Sequence, residues 1–129
     1  HIASINNPAR TLRLWSGGMP TAYFIENGSG QTKTLRSRHM ALGILPPELF
    51  DPQTEIIEWE TACQLFFCSD GLTEAQSPAG EMFGEDYLQR LLLAEDKTAL
   101  FPGIVAAVET HLNGQAALDD ISMLNVLLP

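Results

Sequence analysis

The amino-acid sequence predicts an α+β fold in which helices cover one face of a mostly antiparallel sheet. Strand-like alternation fills much of the chain before residue 70, helical spacing appears between residues 81 and 112, and a last strand pattern follows. The 129 residues are 45% hydrophobic and 18% charged, which suffices for one globular domain with a buried core. We therefore predict a single structural unit over residues 1–129.

Turn residues separate the predicted strands. Two strands are predicted within residues 2–15. The others are predicted at residues 21–26, 31–35, 55–59, 64–69 and 121–128. Asn27-Gly28-Ser29-Gly30 predicts a hairpin turn, whereas residues 36–52 are irregular and contain Pro46-Pro47. Leu65-Phe66-Phe67-Cys68 is continuously apolar, which is typical of a central strand covered on both faces.

Two helices are predicted after residue 80. Residues 81–94 place Tyr87, Leu88 and Leu91 on one face, and Pro102 fits the first turn of a second helix that stops at Asn113-Gly114. Because two helices cover only one side of a sheet well, we expect an exposed apolar sheet face or edge in this chain.

The composition argues against several classes of partner. The formal net charge is −9, from 16 Asp and Glu against 7 Lys and Arg, and so acidic a surface repels nucleic acid. No apolar stretch approaches the ~20 residues that cross a bilayer, and no secretory signal opens the chain. Cys63 and Cys68 lack zinc-ligand spacing and are expected to be free buried thiols. We predict a cytoplasmic protein that binds neither nucleic acid nor membrane.

Two carboxylate sites are set apart by their positions. Asp70-Gly71 follows the buried strand, and Asp119-Asp120 precedes the last one. If these strands are neighbours, the carboxylates meet at one sheet end and form a cluster of the kind that Mg²⁺ or Mn²⁺ prefers. Spacing alone leaves the alternatives open, since Asp-Gly after a strand is often only a turn and Asp-Asp before one is often a solvated loop.

Four segments, in order, resemble a known family. They are WSGGMP (residues 15–20), ALGI (41–44), SDGLTEA with GEMFG (69–75 and 80–84), and LDDISML (118–124). Together they resemble the C-terminal half of the bacterial metal-dependent serine/threonine phosphatase domain of the SpoIIE/RsbU group, which is similar to protein phosphatase 2C. The resemblance implies that the chain is part of an α-β-β-α sandwich.

The same resemblance implies a mechanism and a set of site residues. The family holds two Mn²⁺ or Mg²⁺ ions by aspartates, and a metal-bridging water attacks the phosphorus of a phosphoserine or phosphothreonine. Asp70 and Asp119 match metal-coordinating, catalytic aspartates. Gly71 belongs to the same metal site, and Asp120 matches a residue that orients ligands or waters.

The resemblance also implies partners. Such domains often act on phosphorylated anti-sigma-factor antagonists and are often fused behind a receiver or sensor module. The family's first metal motif has no match here, and no Asp or Glu precedes Glu26. About the first half of the domain is therefore expected to be missing, and a homodimer or strand exchange is expected for the isolated chain. Alternative functions are an inactive phosphatase-like module that binds a partner, and a plain Ca²⁺ or Mg²⁺ scaffold.

Four further side chains allow more than one interpretation. Arg36 and Arg38 flank Ser37, where they would contact a phosphoryl group or partner, or simply belong to a solvated loop. His39 and His111 are candidate ligands in principle. The simpler interpretation is a loop residue for His39 and a cation near a helix C-terminus for His111.

Overall fold

The computed structural model describes residues 1–93 and 99–129. The strands in these ranges are β1 (Ile2–Asn6), β2 (Thr11–Trp15), β3 (Ala22–Glu26), β4 (Thr32–Leu35), β5 (Glu55–Glu58), β6 (Cys63–Cys68) and β7 (Met123–Leu128). The helices are α1 (Asp70–Thr73), α2 (Glu85–Leu92) and α3 (Leu100–Leu112), with a 3₁₀ turn at Pro47–Leu49. The predicted α+β class is confirmed.

The strands form two antiparallel sheets. One has the order β1-β2-β5 and the other the order β4-β3-β6-β7. Strand β6 lies inside the larger sheet, and alternate side chains along it point to opposite faces. Cys63 and Leu65 belong to the core between the sheets, whereas Phe66 and Cys68 belong to the core under the helices. The prediction of a central strand covered on both faces is confirmed.

The expectation of an uncovered apolar face is wrong for β6. The three-stranded sheet covers the side that the helices leave open, packing Leu12, Ile57 and Trp59 against the face that carries Leu65. Pairing of β2 with both β1 and β5 builds this second layer rather than widening the first sheet. An open edge does remain, because β6 is the only strand paired with β7 within the described residues, and Leu124 and Leu127 of β7 are exposed.

The helical layer differs from the prediction mainly at the start of α2. This helix begins at Glu85 rather than at residue 81, since Gly80 and Gly84 both have positive φ and turn the chain before it. The predicted end at Ala94 lies outside the described residues. The second helix agrees with its signals: Pro102 lies in the first turn of α3, and the helix ends at Asn113 in the left-handed conformation.

Both cysteines are free and buried, as predicted. Burial raises the pKa of the Cys63 thiol to about 11, so the neutral form persists well above neutral pH. Within residues 1–93 and 99–129, none of the helices has the length and apolar character needed to cross a membrane.

Candidate metal centre

The predicted adjacency of the two carboxylate-bearing strands is confirmed. Strand β6 ends where β7 begins, with Cys68 paired to Met123 in an antiparallel ladder. Asp70 is the first residue of α1 and is separated from the end of β6 by Ser69 alone, and Asp119 and Asp120 lie in the segment that leads into β7. Both carboxylate sites therefore emerge at the same end of the four-stranded sheet, which is called the aspartate end below.

Gly71 brings the two segments into direct contact. A Cβ atom at Gly71 would lie 2.5 Å from the Asp120 carbonyl oxygen and 3.0 Å from its carbonyl carbon. These are backbone atoms, so no side-chain rotation can relieve the overlap. Glycine at residue 71 is thus required by the close approach of the chain around Asp120, in addition to any role beside a metal.

Ser69 fixes the same approach from the other side of Asp70. Its hydroxyl donates to the Asp120 carbonyl oxygen at 2.9 Å and accepts from the Ser122 N–H at 3.0 Å. The Ser69 N–H also donates to the Ser122 carbonyl oxygen at 2.9 Å. Sequence reasoning gave Ser69 no role of its own. The available signal was its place immediately before Asp70 in the SDGLTEA segment.

The carboxylates are suited to a hard cation but are incomplete as a site. Asp70 and Asp119 are exposed, and one oxygen of each accepts the following backbone N–H, at 3.0 and 2.7 Å respectively. Within the part of the chain that the structure describes, no group of three or more His, Cys, Asp or Glu side chains is placed to hold a metal ion. The residues present could supply some of the ligands of a Mn²⁺ or Mg²⁺ site, and a complete site needs further ligands. The metal roles of Asp70, Gly71, Asp119 and Asp120 stay predictions.

Glu85, at the start of α2, adds negative charge to this region. Burial raises the pKa of the Cys68 thiol to about 11, helped by the Glu85 and Asp70 carboxylates. Burial raises the pKa of Tyr23 to about 12, again with a contribution from Glu85. The Thr21 hydroxyl donates to a Glu85 oxygen at 3.3 Å. No local sequence pattern indicates that Glu85 lies near Cys68, because the two residues are far apart along the chain.

The glycines of the WSGGMP segment serve backbone packing. A Cβ at Gly17 would overlap the Met40 carbonyl oxygen, and one at Gly18, where φ is 61°, would lie 2.7 Å from the Ala41 Cβ. The Gly18 N–H donates to the His39 carbonyl oxygen at 3.0 Å. Glycines here let residues 16–18 and 38–41 run side by side.

Both candidate histidines lie within hydrogen-bond distance of backbone carbonyl oxygens. His111 Nε2 lies 3.2 Å from the Ala75 carbonyl oxygen and 2.9 Å from that of Glu81, which ties α3 to the segment before α2. His39 stacks on Trp15 at 5.1 Å between ring centroids, and its Nε2 lies 2.9 Å from the Gln53 carbonyl oxygen.

Comparison with known proteins decides the family. The family model for Stage II sporulation protein E (SpoIIE) matches residues 1–128. The chain belongs to the SpoIIE family. Among relatives of this SpoIIE-family chain, Protein IcfG of Synechocystis sp. is 31% identical over 105 residues, which cover 80% of the chain and 16% of IcfG.

Solved structures share the fold at low identity. The SiaA-PP2C domain of Pseudomonas aeruginosa aligns with a TM-score of 0.66 and 20% identity, covering 91% of this chain and 46% of that one. The SpoIIE phosphatase domain of Bacillus subtilis, presoaked with Mn, gives 0.67 and 13%, with 97% and 54% coverage. A longer SpoIIE fragment from Bacillus subtilis gives 0.73 and 16%, with 98% and 37% coverage. The SpoIIE-family chain therefore has a PP2C-type fold and spans roughly half or less of these relatives.

Proposed function

We propose that this SpoIIE-family chain is the C-terminal part of a metal-dependent protein serine/threonine phosphatase. The observation that carries the proposal is the meeting of Asp70 with the Asp119–Asp120 segment at one sheet end, through the glycine contact at Gly71. Its substrate is a phosphoserine or phosphothreonine on a bacterial regulatory protein, of the anti-sigma-factor antagonist type. A preceding receiver or sensor module would regulate it.

In this proposal Asp70 and Asp119 hold Mn²⁺ or Mg²⁺, and segments that precede His1 in the full-length protein provide the remaining ligands. When bound, the metal pair supplies an activated water and neutralises charge on the phosphoryl group. Asp120 orients ligands and waters, Gly71 allows the two segments to touch, and Ser69 holds the backbone of Asp120 in place. Both carboxylates face solvent, which leaves them open to a bulky phosphoprotein.

The test uses Asp70→Asn and Asp119→Asn in the full-length protein. Loss of one anionic ligand is expected to weaken Mn²⁺ binding by roughly 10-fold or more and to remove most Mn²⁺-dependent hydrolysis of p-nitrophenyl phosphate. Asp86→Asn is the matched control, because it removes the same charge from an exposed side chain on α2. Near wild-type turnover of both test variants at saturating Mn²⁺ would contradict the proposed mechanism.

A second candidate is a phosphatase-like module that binds and regulates a partner without hydrolysis. It is favoured by the incomplete set of metal ligands in the described residues. Full-length wild-type protein that neither binds Mn²⁺ by calorimetry nor hydrolyses p-nitrophenyl phosphate, while remaining folded, would support this second candidate over the enzyme.

A further inference from the structure

The loop of residues 36–50 lies beside the aspartate end. Strand β4 ends at Leu35, which pairs with Ala22 at that end of the larger sheet, and the smaller sheet resumes at Glu55, which pairs with Leu14 near the end of β2. The 36–50 loop therefore belongs to the connection between the two sheets at the end that carries Asp70.

Apolar side chains of this loop are exposed rather than buried. Their exposed fractions are 53% for Met40, 58% for Leu42, 61% for Ile44, 64% for Leu49 and 46% for Phe50. Several of them line a cavity of about 240 Å³. Exposed apolar side chains grouped in one loop are typical of an interaction site.

Hydrogen bonds and a ring stack join the beginning of the loop to Trp15 and Ser16. The Arg38 and His39 N–H groups each donate to the Ser16 carbonyl oxygen at 3.1 Å, and the Trp15 ring stacks on His39. Trp15 Nε1 donates to the Asp51 carbonyl oxygen at 2.9 Å, just beyond the loop. A surface fixed before binding loses less entropy when a ligand docks on it.

Basic side chains gather at the start of this loop in an otherwise acidic chain. Lys33, Arg36 and Arg38 are three of the 7 Lys and Arg residues, and Glu48 is the single carboxylate of residues 36–50. Lys33 Nζ lies 2.8 Å from a Glu55 oxygen, so its charge is largely paired. Arg36 is exposed, and the Arg38 guanidinium reaches Glu55 only at 3.8 Å. An apolar surface flanked by cations complements a peptide with acidic and apolar side chains. An anionic membrane is disfavoured, because the chain as a whole carries a charge of −9.

The sheet sets the distance between this surface and the aspartates. Strand β4 lies two positions from β6, which corresponds to about 10 Å between Leu35 and the strand that precedes Asp70. About three extended residues span that distance.

We propose that the 36–50 loop docks a segment of the phosphoprotein substrate, a proposal that rests on the phosphatase function proposed above. An acidic side chain about three residues from the phosphoserine meets Arg36, and apolar side chains beyond it pack on Leu42 and Ile44.

Peptide binding to the full-length protein in EDTA tests this proposal without hydrolysis. The probes are fluorescein-labelled peptides that contain one phosphoserine. Counted from the phosphoserine, the third residue is glutamate and the fourth, sixth and seventh are leucine. Matched peptides carry serine in place of the leucines or glutamine in place of the glutamate. Each peptide is made in two versions, with these residues either C-terminal or N-terminal to the phosphoserine. We expect Leu42→Ser/Ile44→Ser to weaken binding of the leucine peptide roughly 10-fold, which is about 1.4 kcal/mol, and to leave the serine peptide unchanged.

Two control variants and one second probe complete the design. Met82→Ser removes an exposed apolar side chain outside the loop and is expected to change nothing. Arg36→Gln is expected to abolish the preference for glutamate over glutamine, whereas Arg90→Gln on α2 is expected to preserve it. Sedimentation with vesicles of 30% phosphatidylglycerol in phosphatidylcholine examines the membrane alternative.

Three results would overturn the docking surface. One is an unchanged leucine preference in the Leu42→Ser/Ile44→Ser variant. Another is a lower Tm of that variant with no change in peptide binding, which would mean that the protein's own preceding segment covers the loop. The third is vesicle binding that disappears in the variant. Peptide binding as expected, together with no Mn²⁺-dependent hydrolysis of p-nitrophenyl phosphate, would refute the proposed function while the docking surface stands.

Discussion

The contact at Gly71 leads to a prediction that joins stability and metal binding. In Gly71→Ala, the new Cβ lies 2.5 Å from the Asp120 carbonyl oxygen, whereas ordinary contact begins at 3.4 Å. The two backbone segments must therefore separate by roughly 0.9 Å. Overpacking of this kind costs about 1–3 kcal/mol, and it displaces the aspartates that are predicted to share a metal. We expect a Tm lower by several degrees and Mn²⁺ affinity weaker by about 10-fold.

A matched glycine separates this effect from that of adding a methyl group. A Cβ at Gly103 in α3 would meet no atom within 4 Å, and the residue is exposed within a helix. Gly103→Ala is therefore expected to stabilise the protein by about 0.5–1 kcal/mol and to leave its Mn²⁺ affinity unchanged. Thermal unfolding and Mn²⁺ calorimetry of both variants of the full-length protein measure the difference. Equal Tm and equal Mn²⁺ affinity in Gly71→Ala and wild type would refute the reasoning.

Two further predictions concern the isolated chain and alkaline pH. The 129-residue chain alone is expected to be a poor phosphatase and to form dimers or larger assemblies through the open β7 edge, where Leu124 and Leu127 are exposed. Light scattering measures the assembly and a phosphopeptide assay measures the activity. An active monomer would contradict this prediction. The pKa values of Cys63, Cys68 and Tyr23 are raised to between about 11 and 12 in the folded chain, from 9.0 and 10.0. Their contribution to stability is full below pH 9 and is lost as pH rises through the folded values. The urea midpoint should fall over that range, and a constant midpoint up to pH 12 would contradict it.

The sequence alone determined the local elements and their signals. Alternation and turn residues predicted the strands around residues 27–30, and Asn113-Gly114 predicted the end of α3, because backbone conformation there depends on neighbouring residues. The continuous apolar run at Leu65-Phe66-Phe67-Cys68 predicted a central strand covered on both faces, because its apolar side chains point to both sides of the sheet. The family resemblance identified Asp70 and Asp119 as candidates.

Only the tertiary structure decided how the strands divide into sheets and which distant residues meet. The alternation in residues 2–15 is the same whether those strands widen one sheet or build a second, so the cover over β6 was misjudged. The roles of Ser69 and of the Gly71 contact depend on the backbone near Asp120, about fifty residues away along the chain. Contacts over such separations arise from sheet registry and layer packing, and no local pattern encodes them.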